Sequence, residues 1–190
     1  MCIKIKRMNS RFLRLKHRLI SRAAGLFPSL QKRMVDSYEP IQLDTGRPDT
    51  GIPAGIPWSA VKKPLNECRV MLVTTAGVHH RTQPPFDMLD PMGDPALRII
   101  DADAPADGLT ITHDYYDHID ADKDLNVVFP LQRLKEFLRE GVIGGLTDIH
   151  LSFMGHIDGP HIKTLMEKTA PEAARLAVRA GADCVILTPG

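Results

Sequence analysis

A nearly continuous apolar run over residues 69–75 most constrains what this 190-residue chain can fold into. The run reads Arg-Val-Met-Leu-Val-Thr-Thr, and a strand without polar alternation is expected where both faces of a sheet are covered. Further strands are predicted over 148–153 and 184–188, and helical patterns begin at Pro130 and after Gly159. Strands that alternate with helices in this way predict an α/β domain with a mostly parallel sheet.

Composition divides the chain into three parts. Residues 1–37 predict a basic helical extension, because ten Lys and Arg precede Asp36 and no acidic residue does. Residues 38–66 hold five Pro and three Gly, which favours an extended arm anchored by Trp58, the only tryptophan. Residues 67–190 are expected to form the α/β domain, with a Rossmann or flavodoxin-like sheet that is incomplete at the C-terminus, since a buried strand ending in Thr-Pro-Gly should lead into another helix.

The cysteines and the apolar runs indicate the compartment. Cys2, Cys68 and Cys184 are widely spaced and odd in number, which favours a reducing, cytoplasmic environment without a disulfide framework. No apolar run approaches the roughly 20 residues that cross a bilayer. For the basic extension, a solvated helix, a membrane-surface helix, a targeting presequence and a nucleic-acid arm all remain open.

The segment Thr110–Asn126 is the densest in polar chemistry, with two His, two Tyr, five Asp and a single Lys. Like charges repel, so such a segment is expected to bind a cation, to cap helices and turns, or to handle protons. It follows a predicted strand, and ligands in open α/β sheets bind at the carboxyl ends of strands. Two other strand ends also carry His beside Gly. The candidate catalytic residues are therefore His79, His80, His113, Asp114, Asp117, His118 and His156.

Known site patterns leave several interpretations of this segment. A calcium-binding EF-hand fails, because Leu125 stands where the loop needs Gly and Leu131 where it needs Glu. A metal-dependent hydrolase could use His113, Asp117 and His118, although Tyr115 replaces a second His ligand. The third interpretation is a polar network in which Asp114 or Asp117 orients the histidines toward a polar substrate.

Many short motifs, in order from about Pro57 to Gly190, resemble the selenoprotein B family of the glycine, sarcosine, betaine and D-proline reductases. They are Pro57-Trp58, Lys63-Pro64-Leu65, Glu67-Cys68-Arg69-Val70, Leu72-Val73-Thr74-Thr75-Ala76-Gly77-Val78-His79, Pro85-Phe86-Asp87, Gly93-Asp94-Pro95, Arg98-Ile99-Ile100, His113-Asp114-Tyr115-Tyr116-Asp117, Asp122-Lys123-Asp124-Leu125-Asn126, Phe129-Pro130, Phe153-Met154-Gly155-His156 and Leu187-Thr188-Pro189-Gly190.

The resemblance implies reductive cleavage of a C–N bond α to a carboxylate, on a small amino-acid or amine-carboxylate substrate. It implies a selenocysteine nucleophile just after the strand that ends at Gly190, a partner subunit bearing a pyruvoyl group and a thiol or selenol redox partner. No nucleic acid is expected. The chain stops one residue before the expected nucleophile, so a UGA codon misread as a stop is hypothesised. Neither Cys68 nor Cys184 is placed to replace that nucleophile.

Three functional hypotheses follow. The first is a reductase subunit that lacks its nucleophile in this chain and is inactive alone. The second is a non-catalytic paralogue or a binding or assembly subunit, and the third is the metal-dependent hydrolase. The chain is also expected to expose apolar sheet surface and therefore to aggregate or to need a partner.

Overall fold

A computed structural model describes residues 14–16, 18–20, 22, 29 and 59–190. Within these residues the strands are β1 (Arg69–Thr74), β2 (Val78–His80), β3 (Arg98–Asp101), β4 (Leu109–Ile111), β5 (Gly145–Leu146), β6 (Ile149–Ser152) and β7 (Cys184–Thr188). The α-helices are α1 (Ile119–Lys123), α2 (Leu131–Arg139), α3 (Pro160–Thr164) and α4 (Ala170–Arg179). Three 3-10 turns (Leu65–Glu67, Ala106–Gly108 and Leu125–Val127) and a π-helical turn (Leu165–Thr169) complete the description.

Strand β1 is the centre of the main sheet. It pairs in parallel with β7 along one edge, from Val70 opposite Cys184 to Thr74 opposite Thr188. Along its other edge it pairs in parallel first with β5 and then with β6. Strand β3 adds to β6 in the antiparallel sense, and β2 and β4 form a separate antiparallel ribbon. The predicted α/β fold with a mostly parallel sheet is confirmed.

The core explains why the 69–75 run carries so little polarity. Val70 and Leu72 are two residues apart and share one face of β1, where both are fully buried. They belong to one apolar cluster with Phe129 and with the inner face of α2, which contributes Leu131 and Leu134. Helix α2 ends where Gly141 takes a φ of 71°, as the sequence predicts.

One local expectation is wrong. The Thr169-x-x-Glu172 spacing predicts a fresh helix start, but Thr169 is itself helical and its side chain caps nothing. The helix runs on from α3 through the π-helical turn into α4. Pro171 has no N–H to donate and would crowd a regular preceding turn, and the wider π turn lies directly before it. The sequence pattern assigns no element to β2, which forms because His79 and His80 pair with Thr110 and Leu109 on β4.

The extension and the arm are described only in part. Residues 14–16, 18–20, 22 and 29 are helical, in agreement with the sequence pattern at those positions. The arm up to Trp58, together with Cys2, lies outside the described residues. In the part of the chain that the structure describes, no helix combines the length and the apolar character needed to cross a membrane.

Strand β7 leaves apolar side chains open to solvent. Its free edge pairs with no described strand, and Val185 and Leu187 are 43% and 75% exposed. Both side chains share one face of the strand because they are two residues apart. An exposed apolar strand at a sheet edge is a template for pairing with another chain.

We expect Leu187→Lys to lower self-association, because a charge on this face opposes burial against another chain. Sedimentation velocity at several protein concentrations measures the change. Val61→Lys is the matched control, since Val61 is 53% exposed but lies outside the sheet. Equal self-association of the wild type and Leu187→Lys would show that the β7 face is not the contact.

Candidate functional site

The carboxyl ends of β1, β6 and β7 meet and are joined by backbone hydrogen bonds. Thr75 N–H donates to the Thr188 carbonyl at 2.9 Å, and Gly77 N–H donates to the Phe153 carbonyl at 2.9 Å. The hydroxyls of Thr74 and Thr188 both donate to the Val128 carbonyl, at 2.9 and 2.7 Å. We call this region the strand edge and define it as residues 74–77, 152–156 and 188–190.

Two glycines allow the backbone to close up at the strand edge. Gly77 and Gly155 have φ angles of 72° and 90°, a region that side chains rarely adopt. A Cβ at Gly77 would lie 2.5 Å from the Thr112 carbonyl oxygen, and one at Gly155 would lie 2.5 Å from the Thr75 carbonyl oxygen. The close approach brings the segment after β4 directly onto the strand edge.

His113 is the histidine that this approach places at the strand edge. Its Nε2 lies 3.5 Å from the position of a Cβ on Gly155, and the residue is only 7% exposed. Nδ1 accepts the Tyr115 N–H at 3.1 Å, and the ring also hydrogen-bonds the Met154 carbonyl. Burial, followed by the charges of His156 and His118, lowers the pKa of His113 to about 4. The imidazole is therefore neutral at pH 7, with its proton on Nε2.

Aromatic rings surround this imidazole. Tyr116 contacts it edge-on with the ring centroids 4.7 Å apart, and the Tyr116 hydroxyl donates to the Ala76 carbonyl at 3.2 Å. Tyr115 stacks on His156 at 4.0 Å, and His156 Nε2 donates to the Pro91 carbonyl at 3.0 Å. Burial raises the pKa of both tyrosines, so both hydroxyls stay protonated at neutral pH.

Asp114 joins the strand edge to the basic extension. Its side chain is fully buried and accepts hydrogen bonds from Arg14 Nε at 2.6 Å and from Arg18 Nε at 2.9 Å. Burial alone would raise the pKa of this carboxyl, but the two guanidinium groups outweigh it and hold the pKa below its ordinary value. Asp114 is thus an ionised carboxylate beside His113.

Asp117 and His118 lie on the outer side of Tyr116. Asp117 Oδ1 accepts the Ile119 N–H at 3.2 Å and so caps the start of α1. His118 Nδ1 pairs with the Asp122 carboxylate at 2.8 Å, one helical turn away. The His118 ring lies 5.5 Å from the ring of Tyr116. Their hydrogen bonds go to Ile119 and Asp122 and not to His113, although the charge of His118 contributes to the lowered pKa of His113.

His79 and His80 lie on β2 and face other partners. His79 is almost fully buried, and its two ring nitrogens bond the Thr112 hydroxyl and the His80 carbonyl, both at 2.8 Å. His80 Nε2 accepts the Asp101 N–H at 3.3 Å. Asp101 pairs with Ile149, the first residue of β6, so His80 reaches toward the amino end of that strand.

The proposed metal ligands do not converge. His113, Asp117 and His118 each bond a different partner, namely Tyr115, Ile119 and Asp122. Among the described residues, no three His, Cys, Asp or Glu side chains are arranged to hold a metal ion. The geometry therefore gives the metal-dependent hydrolase no support.

The two described cysteines lie at the other end of the sheet. Cys68 precedes β1 and is buried, and Cys184 is the first residue of β7. Burial, together with the nearby Cys68 and Asp183, raises the pKa of the Cys184 thiol. Neither sulfur is at the strand edge, and Cys184 is not activated as a thiolate.

Sequence reasoning missed Arg14 and Arg18 as partners of the site. The signal was present, because a stretch with basic residues and no acid can neutralise a segment with five Asp. Sequence reasoning also missed His150 on β6. The Nδ1 atom of His150 accepts the Leu72 N–H at 3.0 Å. Burial, followed by the charge of Lys135, lowers the pKa of His150 to about 4.

Comparison with known proteins identifies the family of the chain. Residues 54–190 match the family model described as glycine/sarcosine/betaine reductase selenoprotein B. The D-proline reductase subunit gamma of Acetoanaerobium sticklandii is 38% identical over 133 residues, which cover 70% of this chain and 53% of that subunit. The chain thus spans about half the length of this curated relative. No solved structure matches it.

Acid is expected to destabilise the fold between about pH 6.5 and pH 4. The pKa of His113 and of His150 falls from an ordinary 6.5 to about 4 on folding, so in this window the unfolded chain binds protons that the folded chain does not. The free energy of unfolding should therefore decrease as the pH falls through the window. Urea unfolding at several pH values measures this slope. His113→Asn should reduce the slope, because it removes one of the groups that bind a proton only in the unfolded chain, and an unchanged slope would contradict the buried neutral state of His113.

Asp114→Asn is expected to loosen the basic extension at Arg14 and Arg18. Each guanidinium is about half-exposed, so each pair is worth about 1 kcal/mol at most. Losing both charge interactions should speed tryptic cleavage after Arg14 and Arg18 by about tenfold. Mass spectrometry of timed digests measures it. Asp107→Asn is the control, because Asp107 is exposed and its carboxylate makes no ion pair with a described residue. Equal cleavage rates for Asp114→Asn and Asp107→Asn would show that these ion pairs do not hold the extension in place.

Proposed function

Because this chain belongs to the glycine/sarcosine/betaine reductase selenoprotein B family, we propose that it is a subunit of a reductase that cleaves a C–N bond α to a carboxylate. The family match over residues 54–190 carries the proposal, and the match to a D-proline reductase subunit supports it. The substrate would be a small amine-carboxylate such as D-proline, glycine, sarcosine or betaine.

The strand order supports a reaction site at the strand edge. The three parallel strands lie in the order β6, β1, β7, so that the chain passes from one side of β1 to the other after β6. This 2-1-3 order is that of flavodoxin-like sheets, in which ligands bind outside the carboxyl ends of the first and third strands. Here those ends are Thr75 and Thr188, directly beside Ala76 and Gly77.

The same edge is where a selenol or thiol nucleophile would act. The family resemblance implies a selenocysteine immediately after the strand that corresponds to β7. A Cβ on Gly190 would lie 2.6 Å from the Ala76 Cα, so a nucleophile attached at this point, or brought by a partner, would enter the strand edge beside Ala76. Neither described cysteine can substitute, since both lie at the amino end of the sheet.

The reaction needs two electrons and two hydrogens. A thiol and selenol pair would supply them and be oxidised to a selenosulfide, while the α-carbon gains one hydrogen and the departing amine the other. The neutral His113, held by the Tyr115 N–H and flanked by ionised Asp114, would carry a proton between solvent and the departing amine. A partner subunit bearing a pyruvoyl group would activate the substrate amine.

A binding or assembly subunit is the second candidate. The observation that favours it is that neither described cysteine is at the strand edge. In this case the chain would hold substrate or partner without taking part in electron transfer.

Native complexes isolated through a tag on this chain test the proposal. We expect a dithiol-dependent conversion of D-proline to 5-aminopentanoate, or of glycine, sarcosine or betaine to the corresponding free amine, measured by mass spectrometry. His113→Gln should lower the turnover rate by about 100-fold or more, which is the usual contribution of a general acid or base to the rate. His80→Gln is the matched control, with turnover within about twofold, because its ring bonds Asp101 away from the strand edge.

Three outcomes discriminate the candidates. Activity that depends on His113 but not on His80 supports the reductase subunit. Complexes that contain a pyruvoyl partner and selenium but turn over normally with His113→Gln would support the assembly role. Complexes that reduce none of the four substrates would overturn the proposed reaction.

A further inference from the structure

The edge of β1 that faces β5 and β6 contains a break in the sheet. Val70 pairs with Leu146 of β5, and Val73 pairs with Leu151 of β6. Between these pairs β1 advances three residues, from 70 to 73, while the neighbouring chain advances five, from 146 to 151. The regular ladder is therefore interrupted beside Leu72, which has no paired residue in β5 or β6.

Side chains replace the backbone hydrogen bonds that are missing at this break. In a regular parallel ladder, evenly spaced bonds join the N–H groups of one strand to the carbonyls of the next. Here the Leu72 N–H donates to Nδ1 of the His150 side chain at 3.0 Å. The Ile149 carbonyl accepts the Thr147 hydroxyl at 2.7 Å. The imidazole of His150 thus stands in for a backbone carbonyl beside the central strand.

The contact between Leu72 and His150 is shielded from solvent. Both residues are fully buried, and so is Thr147. The pKa of His150 is lowered to about 4 by burial and by the charge of Lys135, so the ring is neutral at pH 7 and Nδ1 is free to accept. Without this acceptor, the Leu72 N–H would be a buried donor with an unmet hydrogen bond, which is unfavourable.

The other ring nitrogen indicates why a histidine occupies this position. Since Nδ1 accepts an N–H, the proton of the neutral ring is on Nε2. Nε2 is buried without a hydrogen-bond partner among the described residues, and the ring of Phe129 lies edge-on with the centroids 6.1 Å apart. Such a donor is unfavourable, so packing alone would favour an apolar side chain of similar size. The acceptor at Nδ1 offsets that cost.

Strand β6 connects this contact to the strand edge. Phe153 N–H donates to the Thr74 carbonyl at 2.8 Å, and the carbonyl of the next residue, Met154, bonds the His113 ring. Met154 follows His150 by only four residues. Because a strand advances about 3.3 Å per residue, a slip of one residue in β6 would take the Met154 carbonyl out of hydrogen-bonding reach of His113.

We propose that His150 is a positioning residue for the strand edge. Its Nδ1 holds the Leu72 N–H across the break, fixes β6 against β1 and so keeps the Met154 carbonyl on His113. His150 is not itself at the strand edge, which begins on β6 at Ser152. The inference concerns the geometry around His113 and does not depend on which reaction takes place there.

Nuclear magnetic resonance of the full chain, labelled with ¹⁵N, tests the contact directly. At pH 7 the His150 ring is expected to carry its proton on Nε2. A scalar coupling is expected between Nδ1 and the amide nitrogen of Leu72, because the two nitrogens share one hydrogen bond. A proton on Nδ1, or the absence of this coupling, would overturn the proposal.

Two substitutions of His150 separate its role as an acceptor from its packing. His150→Asn keeps an acceptor, because its Oδ1 is as many bonds from the backbone as Nδ1, whereas His150→Leu fills similar space without one. In His150→Leu the Leu72 amide should exchange with deuterium about tenfold faster than in the wild type, and the His113 ring signals should shift. In His150→Asn the exchange should stay within about twofold of the wild-type rate, with the His113 signals near their original positions.

Ile143→Val is the matched control for a general loss of stability. Ile143 is buried before β5, and losing one methyl group there weakens the core without removing a hydrogen bond. Its Leu72 exchange and His113 signals should match the wild type. If His150→Leu does not fold, His150→Gln takes its place, because its side-chain oxygen is one bond farther from the backbone than Nδ1.

The outcomes for these variants are decisive. If His150→Asn and the variant without the acceptor give the same Leu72 exchange and the same His113 signals, the proposal is overturned. It is also overturned if Ile143→Val moves the His113 signals as far, since any loss of stability would then have the same effect. No substrate is needed for these measurements, so the positioning role and the proposed reaction can each fail independently of the other.

Discussion

The structure depends on the pairing of β1 along both of its edges. A strand that hydrogen-bonds neighbours on each side has no free edge, and its side chains must be apolar because both faces are covered. Parallel pairing with β6 and β7 also fixes where these strands end relative to one another. As a result, Thr75, Phe153 and Thr188 meet in one small region, and the backbone around Gly77 and Gly155 can bring His113 onto it.

A second constraint is electrostatic. A fully buried carboxylate is unfavourable unless it is paired, and Asp114 gains its two partners from a part of the chain about 100 residues away. These contacts link the basic extension to the site, so a segment outside the matched family region takes part in it.

Periodicity predicted the fold well, because β1, β6, β7 and α2 are signalled by local patterns of apolar residues. It failed where the decisive interaction is not local. Strand β2 forms because His79 and His80 face β4, about 30 residues later. Thr169 resembles a helix cap only until Pro171 and its effect on the preceding turn are considered. For the site, motif positions indicated that His113 and His156 follow strands, but pairing distances were needed to separate them from His80. The partners Arg14 and Arg18 follow from charge complementarity and not from any motif.

The Val128 carbonyl oxygen accepts hydrogen bonds from both Thr74 and Thr188, which uses both of its lone pairs. This single carbonyl oxygen therefore joins the ends of β1 and β7 to the loop between α1 and α2. Force applied to the polypeptide at Thr188, whether from a docking subunit or from further chain, would therefore be transmitted to that loop and not only to the strand. Breaking both hydrogen bonds would leave the Val128 carbonyl without a partner, which is unfavourable. The strand ends and the loop should therefore move together or not at all.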